Sequence, residues 1–389
     1  MITGSQTDGT GSSVSRRNSG IDMLRILSMF LIVILHVLGQ GGAMIRISSH
    51  PSTYQACWFL ETCAFCAVNC YGLISGYVGR GTRLHISRLL YLWLTVWFYS
   101  VSIALIILAF APELYVQAGV PKAFSDLFIG RELYWTLKVL FPVSMKNYWY
   151  FSGYAALFFL MPFINRLFDQ LTEKECRRML RVLFGIFSVW TMAPKAITSD
   201  FLNLTSGYTF VWLLLLYAAG ACMRKSGYPG WKKRTCAAVY CVCILISWGW
   251  KMIIEDLTRA SLGKAVFGRM FMTYTSPTIV LCGAALVVLF SKLEVRSSIL
   301  TALVRFLAPL SFSVYIIHTH PLIWECVLKG AFKSYSALGP LQVIPAVLVT
   351  ALTIFLFCSL VDFVRLRLFD LLRVRDLCRL IEGKLEGRG

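Results

Sequence analysis

The sequence predicts an all-α, polytopic membrane protein with about ten transmembrane helices, and three observations lead to this fold class. Hydrophobic residues make up 57% of the 389 residues and charged residues only 15%, whereas about a quarter of a soluble domain is charged. Apolar runs of about 20 residues, long enough to cross a bilayer as a helix, recur along the chain. Lys and Arg concentrate in alternate connections between these runs, as the positive-inside rule requires.

The first apolar run follows Arg16 and Arg17 and therefore resembles a signal peptide. It contains Arg25 and His36 and is long enough to span the bilayer, so we interpret it as an uncleaved first helix. The candidate spans are residues 20–40, 54–78, 89–111, 148–166, 179–199, 205–223, 235–254, 270–291, 303–325 and 342–364. The sixth has the shortest apolar run, and an even number of spans places both termini on one side.

The distribution of basic residues orients the predicted spans. With the N-terminus in the cytoplasm, 25 of the 38 Lys and Arg fall in cytoplasmic segments, 12 fall outside, and Arg25 lies within the first span. Both termini are therefore predicted to be cytoplasmic, in a multi-pass protein of the plasma membrane. The net charge of +19 follows from this topology and does not indicate a nucleic-acid partner.

Three regions are predicted along the chain. Residues 1–19 form a polar cytoplasmic tail, and residues 20–365 form the membrane domain. Within that domain, residues 112–147 form a long external connection whose apolar and charged residues alternate, and we expect it to cover a cavity. Residues 366–389 form a basic amphipathic tail, predicted to lie as a helix on the anionic lipids of the inner leaflet.

Cysteine and histidine usage indicates neither disulfides nor a metal site. The 13 cysteines lie mostly in apolar runs or basic loops, which favours packing. Cys63, Cys66 and Cys70 imitate metal-ligand spacing, but they fall along one stripe of a predicted membrane helix. With only five histidines in the chain, we predict no metal and no permanently bound cofactor.

Arg25 and His36 are the most informative polar residues. Eleven residues at about 100° each leave both side chains on one face of a helix, roughly 16 Å apart along its axis. Arg25 could instead extend to the inner headgroups, and His36 could be a hydrogen-bonded core residue. A neutral imidazole can accept the proton of an alcohol, and a guanidinium matches phosphate geometry. The pair therefore suits a long phosphorylated donor that enters from the cytoplasm.

A basic patch precedes the third span and offers further contacts to such a donor. After a predicted helix break at Ser75 to Tyr77, the sequence places Arg83, His85 and Arg88 at the inner surface. The positive-inside rule alone would also account for these residues.

Other polar residues have structural and functional interpretations. Glu61 could orient His36 as a carboxylate partner, or lie at the outer headgroup boundary. Ser311, Tyr315 and His318 share a helix face and could contact substrate or hydrogen-bond between helices. Trp149 and Tyr154 could stack on a sugar or belong to the interfacial aromatic belt.

These motifs together resemble the acyltransferase 3 family of integral-membrane acyltransferases. The resemblance rests on Asp22-x-Leu24-Arg25 followed by His36, on the segments LISGY (73–77) and SFSVYIIH (311–318), and on the aromatic run 148–151 with Pro162. It covers residues 20 to about 365. The resemblance implies that His36 is catalytic and that Arg25 serves the donor. The family's Arg-x2-Arg pair reads His85-x2-Arg88 here, and Arg83 is the nearby cation that could replace the missing arginine.

The predicted function is an O-acyltransferase. The resemblance implies transfer of an acyl group, usually acetyl, from cytosolic acetyl-CoA or another acyl-CoA, a co-substrate, to a hydroxyl of an envelope glycan or lipid-linked glycan. His36 is the predicted general base, and direct transfer is preferred because no acyl-carrying serine or cysteine with a matched base is evident. A transporter or exporter of an envelope precursor, with Arg25 and His36 lining its path, is the alternative, and a membrane sensor is a third. Oligomeric state is not predicted.

Overall fold

The structure is a computed structural model that describes residues 18–46, 49–79, 85–119, 130–192 and 202–387, and within these ranges it contains helices and no strands. In chain order the α-helices are α1 Ser19–Leu38, α2 Pro51–Ala64, α3 Ala67–Gly79, α4 Ile86–Phe110, α5 Glu113–Gln117, α6 Arg131–Leu140, α7 Trp149–Gln170, α8 Glu173–Phe184, α9 Phe210–Ser226, α10 Lys233–Leu262, α11 Pro277–Ser291, α12 Ser298–His318, α13 Pro340–Leu371 and α14 Val374–Leu385. Short π-helical segments follow α8 (Gly185–Trp190) and α12 (Ile323–Leu328).

The described helices confirm an all-helical membrane protein. Within the described ranges, six spans are long and apolar enough to cross a bilayer, namely α1, α2 with α3, α4, α7, α10 and α13. The bent helix α12 would make a seventh, and α11 is apolar but only 15 residues long. Each of the ten predicted spans overlaps at least one helix, but the count of ten and the sidedness of the termini stay predictions.

Helix α1 is surrounded by other helices. It packs against α2, α3, α11, α12 and α13, and the side chains of Leu24, Val33 and Val37 are fully buried. Asn18 caps the helix by accepting a hydrogen bond from the backbone N–H of Ile21 at 3.1 Å. The polar residues of α1 therefore meet protein neighbours and cavities, which makes ionisable groups tolerable at membrane depth.

Helices α3 and α9 approach so closely that only glycine fits between them. A Cβ atom on Gly76 would lie 1.9 Å from the carbonyl oxygen of Tyr217, and one on Gly220 would lie 2.0 Å from that of Leu73. Small residues at such crossings are a general feature of membrane helix pairs. The predicted break at Ser75 to Tyr77 is wrong, because α3 continues to Gly79 and Gly76 serves packing instead.

Two further features bring distant residues to α1 and α4. Pro309 lies where α12 bends by 42° between its segments Ser298–Leu307 and Ser311–His318, because proline removes one helical hydrogen bond and its ring clashes with the preceding turn. The second segment carries His318 onto α1. At the C-terminal end, α14 packs against α4, where Ser87 donates a 2.7 Å hydrogen bond to Glu382.

Candidate active site

His36 forms a hydrogen-bonded pair with His318. The Nδ1 atom of His36 lies 2.7 Å from Nε2 of His318, and Nδ1 of His318 contacts the carbonyl oxygen of Val314 one turn earlier. A carbonyl oxygen only accepts, so Nδ1 of His318 carries the hydrogen and Nε2 of the neutral ring accepts. His36 must then donate through Nδ1, which leaves the lone pair of its Nε2 available.

The ring of His36 lines a cavity of about 450 Å³ with aromatic and polar walls. Trp324 packs edge-on against His36 with 4.8 Å between ring centroids, and Gln40 donates a 3.1 Å hydrogen bond to the backbone carbonyl of Trp324. Among the described residues, Nε2 of His36 has no hydrogen-bond partner. An imidazole held from one side and open to a cavity on the other has the arrangement of a general base.

Glu61 lines the same cavity but does not hold His36. Its side chain is buried, and its Oε2 atom has no hydrogen-bond partner among the described residues. The ring partner of His36 is an imidazole and not the predicted carboxylate. Trp149, Tyr315 and Lys138 also line this cavity, and Lys138 places the predicted external connection 112–147 at its wall.

A second cavity, of about 490 Å³, surrounds Arg25 at the other end of α1. Arg25 donates a 2.8 Å hydrogen bond to Asp22, but its side chain remains 32% exposed. Four arginines line this Arg25 cavity, and the others are Arg88, Arg375 and Arg379. Guanidinium groups on several walls suit a ligand with more than one phosphate.

The predicted site residues divide between the two ends of α1. Arg88, predicted to contact the donor, lines the Arg25 cavity, and so does Tyr154, which was predicted on the acceptor side. His85 does not line it; the residue immediately precedes α4, and its Nδ1 atom lies 3.6 Å from Glu382. Arg83 lies outside the described residues.

Ser311 lines neither of the two cavities. Its hydroxyl donates a 2.8 Å hydrogen bond to the carbonyl oxygen of Ala308, next to the bend of α12. Tyr315 lines the His36 cavity, and His318 hydrogen-bonds to His36. The helix face that Ser311 shares with these two residues therefore serves two purposes.

Tyrosine side chains separate the two cavities, which share no lining residue. Tyr71 donates a 2.8 Å hydrogen bond to the backbone carbonyl of Arg25, and its ring centroid lies 6.2 Å from that of Tyr150. Tyr150 interacts with Ser75 and Tyr154 on the Arg25 side and with Tyr315 on the His36 side. We call Tyr71, Tyr150 and Tyr315 the tyrosine partition.

Sequence reasoning did not assign Arg375 and Arg379 to the site. Both lie on α14, whose charge pattern equally fits a helix on the membrane surface. It also did not identify His318 as the partner of His36 or place Trp324 beside it. Within the described ranges, no group of three or more His, Cys, Asp or Glu residues is placed to hold a metal ion.

Comparison with known proteins identifies the family. The family model of the acyltransferase 3 domain, described as an acyltransferase domain, matches residues 18–361. No curated protein and no solved structure shows significant similarity to the chain. The match begins at the cap of α1 and ends within α13. It therefore includes the residues that line both cavities, except Arg375 and Arg379 on α14. The chain therefore belongs to the acyltransferase 3 family of membrane acyltransferases.

Proposed function

We propose that this membrane acyltransferase transfers an acyl group, acetyl in the first instance, from cytosolic acyl-CoA to a hydroxyl of an envelope polysaccharide or lipid-linked glycan. The protein would act in the plasma membrane with Arg25 facing the cytoplasm. One observation carries the proposal. His36 has one ring nitrogen held by His318 and the other free in a cavity, while arginines line a separate cavity at the opposite end of the same helix.

The Arg25 cavity is the proposed donor site. Coenzyme A carries its phosphates at one end and the thioester at the other, so charge and reactive carbon are far apart. Arg25 lies at the inner end of α1 and His36 roughly 16 Å further along its axis. The phosphates would bind Arg25, Arg88, Arg375 and Arg379, and the thioester arm would pass the tyrosine partition toward His36.

His36 would act as the general base in the transfer step. Its Nε2 accepts the proton of the acceptor hydroxyl while the oxygen attacks the thioester carbonyl. The new C–O bond forms and the C–S bond breaks, and the departing thiolate of coenzyme A takes the proton back from His36. His318 stabilises the transient imidazolium, because its Nε2 atom accepts the hydrogen bond from Nδ1 of His36.

Product analysis with purified protein tests this proposal against the exporter. Protein in lipid nanodiscs is supplied with acetyl-CoA labelled in the acetyl group and with envelope glycan, and the label recovered in ester linkage is counted. His36→Ala should abolish transfer and leave the amount of folded protein unchanged. His50→Ala is the matched control, since His50 lies outside both cavities. Full activity in His36→Ala would refute the base, and glycan movement in vesicles without ester formation would favour the exporter.

A further inference from the structure

A third cavity, of about 480 Å³, lies beside the end of α10 and the connection to α11. Its lining includes Tyr54, Lys251, Glu255, Arg259, Gly268 and Arg269. Arg46, on the connection that follows α1, reaches Glu255 at 3.3 Å and Asp256 at 3.1 Å. Since His36 lies in the last turn of α1, this basic cavity is at the His36 end of the bundle.

The basic cavity carries more positive than negative charge. Glu255 is buried and its carboxylate is fully engaged, since it accepts hydrogen bonds from Tyr54 at 3.0 Å and from Arg259 at 2.8 Å and pairs with the buried Lys251. Four cations, Arg46, Lys251, Arg259 and Arg269, surround Glu255 and Asp256 in this cluster, and Glu61 is a third carboxyl group within electrostatic reach of Arg269. Arg259 and Arg269 are exposed at this cavity, and a cavity lined by an excess of like charge attracts ligands of the opposite charge.

Arg269 is the cation available to such an anion. Among the described residues it forms no ion pair, and its guanidinium lies 5.2 Å from the ring centroid of Trp58. The aromatic ring holds one face of the guanidinium and leaves its N–H groups at the edge free. These N–H groups match the oxygen pairs of a carboxylate or phosphate.

One face of α2 connects the basic cavity with the His36 cavity. Tyr54, Trp58 and Glu61 follow one another at helical spacing along that face, over roughly 10 Å. Tyr54 lines the basic cavity and Glu61 the His36 cavity. Arg269 lies close enough to Glu61 and Tyr208, both on the His36 cavity, to interact with them electrostatically.

We propose that the basic cavity is an acceptor subsite that binds a carboxylate or phosphate group on an acidic glycan, with Arg269 as its principal contact. The proposal rests on the proposed transfer to a glycan hydroxyl. An acceptor anchored by its acidic group at Arg269 extends along α2 and presents the hydroxyl of a neighbouring sugar to His36. The acyltransferase thereby selects acidic over neutral glycans.

Binding to a matched pair of probes tests the subsite without turnover. The full chain in nanodiscs of neutral lipid is titrated with trigalacturonate and with its carboxyl-reduced trisaccharide, and inorganic phosphate is the competitor. The native protein should bind the acidic probe about tenfold more tightly than the neutral probe, and phosphate should reduce the difference. Arg269→Gln should bring the two affinities within about threefold of each other. Lys264→Gln, in the same connection but outside the basic cavity, should retain the preference.

Several outcomes would overturn this assignment. Equal affinity for both probes in the native protein, or an unchanged preference in Arg269→Gln, would remove the subsite. Loss of trigalacturonate binding in nanodiscs of anionic lipid would assign the cavity to a lipid headgroup. The test separates a failure of the subsite from a failure of the proposed function. Label transfer from acetyl-CoA without any charge preference refutes only the subsite. A charge preference without label transfer refutes the acyltransferase mechanism and the acceptor role together.

Discussion

Removing the imidazole of His318 is the most direct test of how His36 is positioned. His318→Ala deletes the acceptor that lies 2.7 Å from Nδ1 of His36. Without it, the neutral ring can carry its hydrogen on either nitrogen, and the imidazolium formed during transfer loses a partner. His318→Gln is the informative companion, because a carboxamide oxygen can accept the hydrogen bond that Nε2 of His318 accepts now.

The size of the effect follows from the hydrogen bond that is lost. A hydrogen bond between neutral groups contributes about 0.5–1.5 kcal/mol and one to a charged group about 1.5–3 kcal/mol, so the bond from His36 to His318 strengthens by about 1–1.5 kcal/mol when His36 becomes an imidazolium in the transition state. Since each 1.36 kcal/mol changes a rate tenfold, kcat in His318→Ala should fall roughly five- to 13-fold. The KM for acetyl-CoA should stay unchanged, because His318 does not line the Arg25 cavity.

Steady-state kinetics with labelled acetyl-CoA measures both constants. His318→Gln should recover kcat to within about twofold of the native value. A merely structural role for His318 would lower the yield of folded protein and change kcat and KM together, with no recovery in His318→Gln. A native kcat in His318→Ala would refute the deduced hydrogen-bond direction and the positioning role.

Three further perturbations probe the donor site, the helix packing and the C-terminal helix. Arg25→Gln should raise the KM for acetyl-CoA about tenfold or more by removing a phosphate contact. The KM for acetyl-pantetheine, which lacks the nucleotide phosphates, should not change. Equal effects on both donors would contradict a phosphate role. Gly76→Val should destabilise the fold by about 1–3 kcal/mol, because its Cβ would lie 1.9 Å from a backbone oxygen of α9. A thermal melt compares it with Gly119→Val, whose Cβ meets no atom within 4 Å, and equal melting temperatures would contradict the close packing. The hydrogen bond from Ser87 lowers the pKa of the Glu382 carboxyl, so its contribution to holding α14 on α4 is present above the unfolded pKa and is lost as the pH falls through the folded one. The protection factors for amide hydrogen exchange in α14 should therefore fall below pH about 4 in the native protein. Glu382→Gln should show lower protection factors at pH 7 with a weaker pH dependence, and native protection factors in that variant would exclude the contact.

The sequence was sufficient to predict the parts of the site that lie on one element. Arg25 and His36 share α1, so helical periodicity alone places them on a common face. Arg88 was predicted at the inner surface because it begins the third apolar run, and it lines the Arg25 cavity. Periodicity and hydropathy report local structure, and the placement of Arg25, His36 and Arg88 depends on little else.

The remaining parts depend on contacts between residues far apart in the chain. His36 and His318 are 282 residues apart, and they meet because α12 bends near Pro309, a bend whose direction no local pattern specifies. Arg375 and Arg379 alternate with leucines in a way that fits a membrane-surface helix equally well, and only the docking of α14 on α4 turns them toward the cavity. The interpretation of Gly76 as a break was wrong for the same reason, since its neighbour is Tyr217 on another helix.

The tyrosine partition has a consequence for the membrane itself. Cavities that open from opposite ends of one bundle resemble two half-channels, and a continuous file of water between them would let ions and protons leak across the bilayer. In the tyrosine partition, the rings of Tyr71 and Tyr150 pack edge to face and Tyr71 hydrogen-bonds to α1, an arrangement that would interrupt such a file. Under the proposed function, only a thioester arm needs to pass this partition. Under the same proposal, acylation outside the cell would then draw on cytosolic acyl-CoA without discharging the membrane potential.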